Sequence, residues 1–255
     1  MRALAEIHEQ ICTYVRPATN PLALRIVKHG DDLPARAKRP FRDLGEKMSL
    51  CQVITLARRH GWVMYLGADD AACPVQRRLF GLGSPDGDLA LSHPCSPPVD
   101  LDPLADSAAA TGPAFSPIDY AGILIAPIAG APFSPDVFVV YGNSAQIMLL
   151  MSAWALDRHD EMPSSVSAAP DCSDVLLRTL REDRPRLILP CYGSRVYGQT
   201  EDWEMAFSAP ARCIDGIVDG LARCHERGIR YPVQRSAGIH AGNGHEKRAG
   251  GSGGE

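Results

Sequence analysis

Two apolar runs and the helix after them decide the fold of this chain: GILIAPI (122–128), DVFVVYG (136–142) and NSAQIMLLMSAWAL (143–156). Both runs are short and bounded by glycine, proline or aspartate, which is typical of buried strands. Asn143 or Ser144 supplies an N-cap for the helix that follows. This helix is apolar almost all round, so we expect it to lie centrally in the fold.

The N-terminal part of the chain alternates between helical and strand patterns. The predicted elements are a helix over 3–15, a strand over 22–27, a helix over 49–59, a strand over 62–67 and a short helix entered at Pro74. Ser49 is the candidate N-cap of the 49–59 helix, and Gly61 is its stop. Residues 84–117 are rich in proline, aspartate and serine, and they predict a long excursion over the surface.

The C-terminal part adds further elements in the same style. They are a polar loop over 158–170, a helix over 172–183, a strand over 186–190, and a last helix from near Asp202 or Pro210 to about Arg227. Strands mixed with helices at this spacing predict an α/β or α+β fold with a mixed central sheet and flanking helices. We expect residues 1–233 to form a single globular domain. The composition of residues 234–255 predicts a disordered tail.

Composition excludes several classes of protein. Of the 255 residues, 45% are hydrophobic and 22% charged, and the net charge is −4, so neither nucleic acid nor an acidic membrane surface is an expected partner. No segment reaches the roughly 20 apolar residues that a membrane helix needs. Glu6 and Glu9 stand where a signal peptide requires an apolar run. We therefore expect a cytoplasmic protein with reduced cysteines, and a homo-oligomer stays open.

The familiar catalytic and metal-binding motifs are missing from the sequence. It has no GxxxxGK(S/T) phosphate loop, no GxSxG elbow, no HExxH and no CxxC. These absences argue against a P-loop nucleotide-binding protein, a serine hydrolase of the elbow type, a common zinc protease and a thioredoxin-like protein. What remains is a set of cysteines in similar local settings.

Four cysteines stand where a helix is predicted to begin or a strand to end: Cys51, Cys73, Cys172 and Cys191. The free N–H groups and the positive dipole end of a helix N-terminus favour a thiolate over a thiol. Four thiolates on separate loops suit Zn²⁺ or an iron–sulfur cluster, since both are held by cysteine sulfur. The alternative is that each is a small apolar residue that serves packing.

Three further side chains are candidates for binding a small molecule: Arg195, Tyr192 and Gln146. The planar fork of Arg195 suits an anionic substrate, and a salt bridge to the acidic residues of 201–204 is the alternative. Tyr192 either donates to a ligand or packs half-buried at the end of a strand. Gln146 is a polar group on an otherwise apolar helix, so it needs a partner, either a ligand or a backbone carbonyl.

Several short motifs follow one another within residues 5–233: CQVITLAR (51–58), CPVQRRLFGLG (73–83), DVFVVYGNSAQIMLL (136–150), LPCYGSR (189–195) and GIRYPV (228–233). Their order resembles that of an uncharacterised prokaryotic family, the ArCR-type proteins, known as a domain of unknown function. The resemblance brings no established reaction, but it implies that the four cysteines occupy the motif cysteines of the family. Ser144 departs from the family pattern, in which a proline commonly follows the asparagine.

Three functions stay open on the sequence alone, and none comes with a reaction. The first is a cysteine-ligated metal or iron–sulfur protein that binds or acts on a small molecule. The second is a non-enzymatic accessory protein that binds a small molecule or holds a structural zinc ion. The third is a protein without a metal, in which the cysteines serve packing.

Overall fold

The computed structural model describes residues 2–82, 120–156, 158 and 171–233. Its helices are α1 (Leu4–Tyr14), α2 (Leu50–His60), α3 (Pro74–Leu79), α4 (Ser144–Ala155), α5 (π-helical over Ser173–Arg178 and α-helical over Thr179–Glu182), α6 (Tyr192–Val196) and α7 (Ile214–Glu226). Its strands are β1 (Leu22–Lys28), β2 (Met64–Gly67), β3 (Tyr120–Pro127), β4 (Val137–Gly142), β5 (Arg186–Ile188) and β6 (Met205–Pro210). Short π- or 3-10-helical turns span Pro40–Leu44, Ile128–Gly130 and Ala211–Cys213. The predicted excursion over 84–117, nearly all of the predicted loop over 158–170 and the predicted tail over 234–255 lie outside the described residues.

The strands form a six-stranded sheet in the order β2-β3-β1-β4-β6-β5. Every neighbouring pair in this order is antiparallel. Within the described ranges, parallel pairing is limited to two isolated bridges, Lys38 to Met64 and Met48 to Ala71. Helices cover the sheet, so the predicted class, α/β or α+β with a central sheet and flanking helices, is confirmed. The predicted mixed pairing was wrong, since the described strands pair only antiparallel.

Both faces of the sheet are buried, because strand side chains point alternately into two layers of helix. On β4, Phe138 and Val140 face the layer of α1, α4 and α7, whereas Val137 and Val139 face the layer of α2, α3 and α5. Burial on both sides explains why the strand sequences are apolar at consecutive positions. The short helix α6 packs beside α2 in the second layer.

The helix α4 begins where the sequence predicts. Asn143 is its N-cap, and its side chain accepts from the N–H of Gln146 at 2.9 Å, while the Gln146 side chain accepts from the N–H of Asn143 at 2.8 Å. This reciprocal pair is a capping box. The expectation that the helix is central was wrong, since it packs on the sheet and α7 while Met148 is 38% exposed. A helix in an outer layer covers the sheet with one side only.

The last helix starts at the later of the two predicted positions. Met205–Pro210 forms β6, which pairs with β4 on one side and β5 on the other, and Phe207 lies opposite Val140. These two ladders outweigh the helix propensity of the methionine and alanines in this segment. A helix from Asp202 was therefore a wrong prediction, whereas a helix after Pro210 agrees with α7.

The contact between α7 and α4 requires glycine at position 220. A Cβ built at Gly220 collides with the carbonyl oxygen of Ala153, which belongs to the backbone and cannot turn aside. We expect Gly220→Ala to lower the free energy of unfolding by about 1–3 kcal/mol, because overpacking outweighs the helix propensity that alanine adds. Urea unfolding followed by circular dichroism measures the change.

Gly216→Ala is the matched control, about one turn earlier in the same helix. The nearest atom to a Cβ added at Gly216 is the end of the Arg158 side chain, at 3.9 Å. Alanine at this position is expected to raise the free energy of unfolding by about 0.5–1 kcal/mol. The close approach of α4 and α7 would be contradicted if the two variants changed stability equally.

Candidate functional site

The four cysteines predicted as metal ligands meet on the α2 side of the sheet. Cys51 is in the first turn of α2, Cys73 directly precedes α3, Cys172 is at the start of α5, and Cys191 is the N-cap of α6. Burial raises the pKa of the Cys172 thiol well above its usual value, and the charges of Asp171 and of the other three cysteines raise it further. Charges influence one another in this way only at short range. The fold therefore brings the predicted ligands into one neighbourhood.

Cys51 is held between the N-cap of its own helix and α6. Its sulfur lies 2.9 Å from the hydroxyl oxygen of Ser49 and 3.9 Å from the carbonyl oxygen of Gly193. Gly198 comes so close that a Cβ added there would lie 2.9 Å from the Cβ of Cys51. Burial raises the pKa of the Cys51 thiol to about 12, although the Ser49 hydrogen bond acts in the opposite direction. The segment that contains α6 thus packs directly on Cys51.

Cys191 and Ser194 both contact the buried carboxylate of Asp171. The Ser194 hydroxyl donates to Asp171 Oδ1 at 2.8 Å, and the Cys191 sulfur lies 3.3 Å from the same oxygen. Burial raises the pKa of Asp171, whereas the hydrogen bonds from Ser194 and Cys191 lower it. Burial also raises the pKa of Cys191, and the charge of Asp171 adds to that effect. Sequence reasoning missed Asp171, whose one signal was its place directly before Cys172.

The electrostatics of this cluster disfavour a reactive free thiolate. A nucleophilic cysteine has a lowered pKa, but the pKa values of Cys51, Cys172 and Cys191 are all raised, first of all by burial. Without a bound cation, burial therefore raises the pKa of these thiols by more than the helix N-termini were expected to lower it. A bound cation reverses the balance, because a coordinated thiol loses its proton outright. The cluster suits thiols or a cation-bound centre rather than nucleophilic attack.

Two buried polar groups beside the cysteines have no hydrogen-bond partner in the part of the chain that the structure describes. They are the amide nitrogen Nε2 of Gln76, on α3, and the hydroxyl of Ser173, on α5. Gln76 is 1% exposed and Ser173 is 4% exposed. A buried donor without an acceptor costs about 1–3 kcal/mol. Both donors therefore lack an acceptor among the described residues, and Gln76 is tied to the helix start of Cys51 through its bond from the Leu50 N–H.

The cysteines do not form a ready cage for one metal ion. Over residues 2–82, 120–156, 158 and 171–233, no three His, Cys, Asp or Glu side chains are arranged to hold a single ion. Tetrahedral zinc, with Zn–S bonds of about 2.3 Å, requires its sulfurs to lie about 3.8 Å apart. An iron–sulfur cluster interposes several iron and sulfide atoms, so its ligands stand farther apart. The cysteine side chains of the described residues are therefore not placed to share a single ion.

A buried ion pair fastens the segment after Cys191 onto α2. The Arg58 guanidinium donates to both carboxylate oxygens of Glu204, from Nη1 to Oε1 at 2.5 Å and from Nη2 to Oε2 at 2.9 Å. Arg58 is 1% exposed and Glu204 is 2% exposed. The guanidinium carbon lies 4.5 Å from the centre of the Tyr141 ring. This pair, which sequence reasoning missed, ties the turn before β6 to α2, the helix that carries Cys51.

Arg195 and Tyr192, predicted to bind a small molecule, lie on α6 next to Cys191. Arg195 donates to the carbonyl oxygen of Glu201 at 2.7 Å and lies 4.0 Å from the Asp202 carboxylate. Arg195 therefore contacts the acidic residues of 201–204, which the sequence-based prediction named as the alternative to a bound ligand. Tyr192 is 59% exposed, so it is not a half-buried packing residue. Both side chains remain candidates for contacting a molecule at the surface beside Cys191.

Gln146, the third predicted binding residue, lies at the start of α4 in the helix layer opposite the cysteines. Its Oε1 accepts from the N–H of Asn143 as part of the capping box, and its Nε2 donates to the carbonyl oxygen of Arg16. The sequence-based prediction named two possible partners for this side chain, a ligand or a backbone carbonyl, and the structure shows the carbonyl. The geometry therefore associates Gln146 with the junction of α1 and α4 rather than with the cysteine cluster.

Comparison with known proteins gives a family but no activity. The model of a family described as "Uncharacterised ArCR" matches residues 10–220 of the chain. Neither a curated protein nor a solved structure matches the chain significantly. In the described ranges, no helix has both the length and the apolar character needed to cross a membrane. The family match includes all four cysteines and the elements that carry them.

Proposed function

The chain belongs to the uncharacterised ArCR family, and because that description assigns no reaction, we propose a function from the cysteine site. We propose an iron–sulfur protein that binds or acts on a small molecule, with Cys51, Cys73, Cys172 and Cys191 as its ligands. One observation carries the proposal. Four cysteines from distant parts of the chain stand at the starts of four helices, close enough that the charges of the other three add to burial in raising the pKa of the Cys172 thiol.

The donor set of the site supports a cluster. Cysteine thiolates hold both two-iron and four-iron clusters. Held by all four cysteines, a cluster would supply one-electron transfer, since no iron is then left open to a substrate. The chain presents Cys51 and Cys172 from the first turns of α2 and α5, and bound iron would make each a thiolate against the effect of burial. Asp171 contacts both the sulfur of Cys191 and the hydroxyl of Ser194, and so holds Cys191 beside the start of α5.

The small molecule is proposed to bind at the surface beside Cys191. Tyr192 is exposed there, and the Arg195 side chain keeps 27% of its surface accessible. A planar guanidinium contacts a carboxylate or phosphate through two parallel hydrogen bonds, so an anionic molecule suits this position. We also propose a cytoplasmic location, because thiols stay reduced there until a metal binds.

Metal analysis of protein purified without oxygen tests the proposed function. We expect a brown protein with iron and acid-labile sulfide in near-stoichiometric amounts and with a visible absorption that bleaches on reduction. The absorption arises from charge transfer between sulfur and iron, so it reports thiolate or sulfide bound to iron. Protein that stays colourless and iron-free after anaerobic reconstitution with iron and sulfide would remove the proposal.

The same sample separates the two alternative functions. Bound zinc that survives dialysis, together with loss of folding on chelation, would indicate an accessory protein with a structural zinc ion. A protein that folds without a metal, and that loses only modest stability when its cysteines become serines, would indicate that the cysteines serve packing. The three outcomes differ in metal content before any substrate is known.

A further inference from the structure

The Gln76 side chain lies between two of the cysteine-bearing helices. Its Oε1 accepts from the N–H of Leu50 at 2.7 Å, and its Nε2 has no partner among the described residues. Leu50 is the first residue of α2 and directly precedes Cys51, whereas Gln76 is in the first turn of α3, three residues beyond Cys73. The amide is therefore at the meeting point of the helix starts that present Cys51 and Cys73.

The orientation of this amide is set by its neighbour. The Leu50 N–H is a donor, so the atom that faces it must be the acceptor Oε1, and the two hydrogens of Nε2 point elsewhere. Gln76 is 1% exposed, so bulk water does not satisfy those hydrogens. An apolar side chain of the same length would avoid the cost of burying them. The Leu50 N–H accounts for Oε1, and Nε2 is left as a buried donor with no acceptor among the described side chains and backbone.

A second buried donor without a partner follows one of the cysteines in the chain. The Ser173 hydroxyl, next to Cys172, is buried and has no partner in the described part of the chain. The two donors come from different helices, α3 and α5, and each is within three residues of a cysteine. Their shared chemical complement is an electron-rich acceptor at the cysteines, such as a thiolate or an inorganic sulfide.

We propose that Gln76 donates a hydrogen bond from Nε2 to a sulfur atom of the cysteine-bound centre, which stabilises the centre and raises its reduction potential. This inference rests on the proposed function, because the sulfur acceptor comes with the centre. Hydrogen bonds to sulfur are among the factors that set the potential of an iron–sulfur cluster, since they offset its negative charge. Gln76 is then a positioning residue for the centre rather than one of its ligands.

Gln76→Met tests the inference, because methionine keeps the length of the side chain and loses both amide hydrogens. We compare the Tm of the protein with its centre bound and after a chelator has removed the iron, since the difference reports stabilisation by the centre. The loss of the Leu50 contact affects both forms equally and cancels. We expect the difference to be about 2–4 °C smaller than in the wild type. At equal iron and sulfide content, the midpoint potential should also be lower.

Trp154→Phe is the matched control. It also removes a buried N–H that has no partner in the described ranges, but in the helix layer on the opposite face of the sheet. Phenylalanine should leave both the Tm difference and the midpoint potential at their wild-type values. A shift in this control as large as that in Gln76→Met would overturn the inference, because it would trace the effect to general loosening of the fold.

The remaining outcomes separate this inference from the proposed function. Equal, non-zero Tm differences in the wild type and in Gln76→Met, or an unchanged midpoint potential, would overturn the role of Gln76 and leave the iron–sulfur function standing. A wild-type protein that binds neither iron nor sulfide would overturn both.

Discussion

Arg58→Ala is expected to lower the free energy of unfolding by about 3–5 kcal/mol, because it leaves one charge of a buried ion pair without compensation. The Glu204 carboxylate is 2% exposed and accepts from both guanidinium nitrogens. It also accepts from the N–H of Glu201 at 2.9 Å, so it anchors the turn that it belongs to. Solvent does not replace these contacts without opening the segment. Chemical denaturation measures the loss.

The same substitution is expected to weaken the cysteine site. The segment after Cys191 is held to α2 by the Arg58–Glu204 pair and by the hydrogen bond from the Thr55 hydroxyl to the Gly198 carbonyl. Loss of the charged contact lets α6 separate from α2 more often. The iron content per chain should therefore fall together with stability.

Arg59→Ala is the control, one residue further along the same helix. Arg59 donates to the carbonyl oxygen of Gln199 at 2.8 Å and pairs with Glu201 at 2.9 Å, but the Arg59 and Glu201 side chains are 28% and 50% exposed. Exposed pairs of this kind contribute about 0.2–1 kcal/mol. We expect Arg59→Ala to cost less than about 1 kcal/mol and to leave the iron content unchanged. An Arg58→Ala variant no less stable than Arg59→Ala would show that the buried pair does not have the role given to it.

Serine at any one of the four proposed ligands is expected to remove most of the bound iron. Those ligands are Cys51, Cys73, Cys172 and Cys191. A serine hydroxyl is a poorer ligand for iron than a thiolate, and losing even an outer contact of a metal ligand lowers affinity about 10–100-fold. Loss of a ligand itself should cost at least as much. Iron and sulfide per chain after anaerobic purification measure the effect, with thermal unfolding as the check that each variant folds.

Cys12→Ser and Cys213→Ser are the matched controls, because both sulfurs belong to the opposite layer of helices. Cys12 lies on α1, and Cys213 is buried in the core beside α7. Cys213→Ser should lose some stability, since it buries a hydroxyl, but neither control should change the iron content. Full iron content in the four site variants, or equal loss in the controls, would show that the ligand assignment is wrong.

Local signals in the sequence predicted the elements that carry the site. Ser49 and Asn143 act as N-caps, and Pro74 opens α3, as the sequence predicted. Such signals are readable because the interactions behind them span only three or four residues. Cys51 and Cys73 stood out for the same reason, since each lies at a boundary that the local sequence defines.

The remaining features depend on contacts between distant residues. Arg58 and Glu204 are 146 positions apart, and neither local sequence indicates a buried partner. β6 looked helical because its stability comes from the ladders with β4 and β5 rather than from its own residues. Asp171 is defined as a site residue only by the packing of α6 against α5. Gln146 was a candidate because a polar group on an apolar helix needs a partner, and the sequence does not show that the Arg16 carbonyl and the Asn143 N–H supply it.

A crystal structure of the anaerobically purified protein, with diffraction recorded at the iron absorption edge, is the most direct test of the iron–sulfur site. We expect anomalous scattering from iron between the sulfurs of Cys51, Cys73, Cys172 and Cys191, with Gln76 Nε2 directed at a sulfur atom. Four protonated thiols packed against one another or against ordered water, with no iron signal between them in protein reconstituted with iron and sulfide, would contradict it.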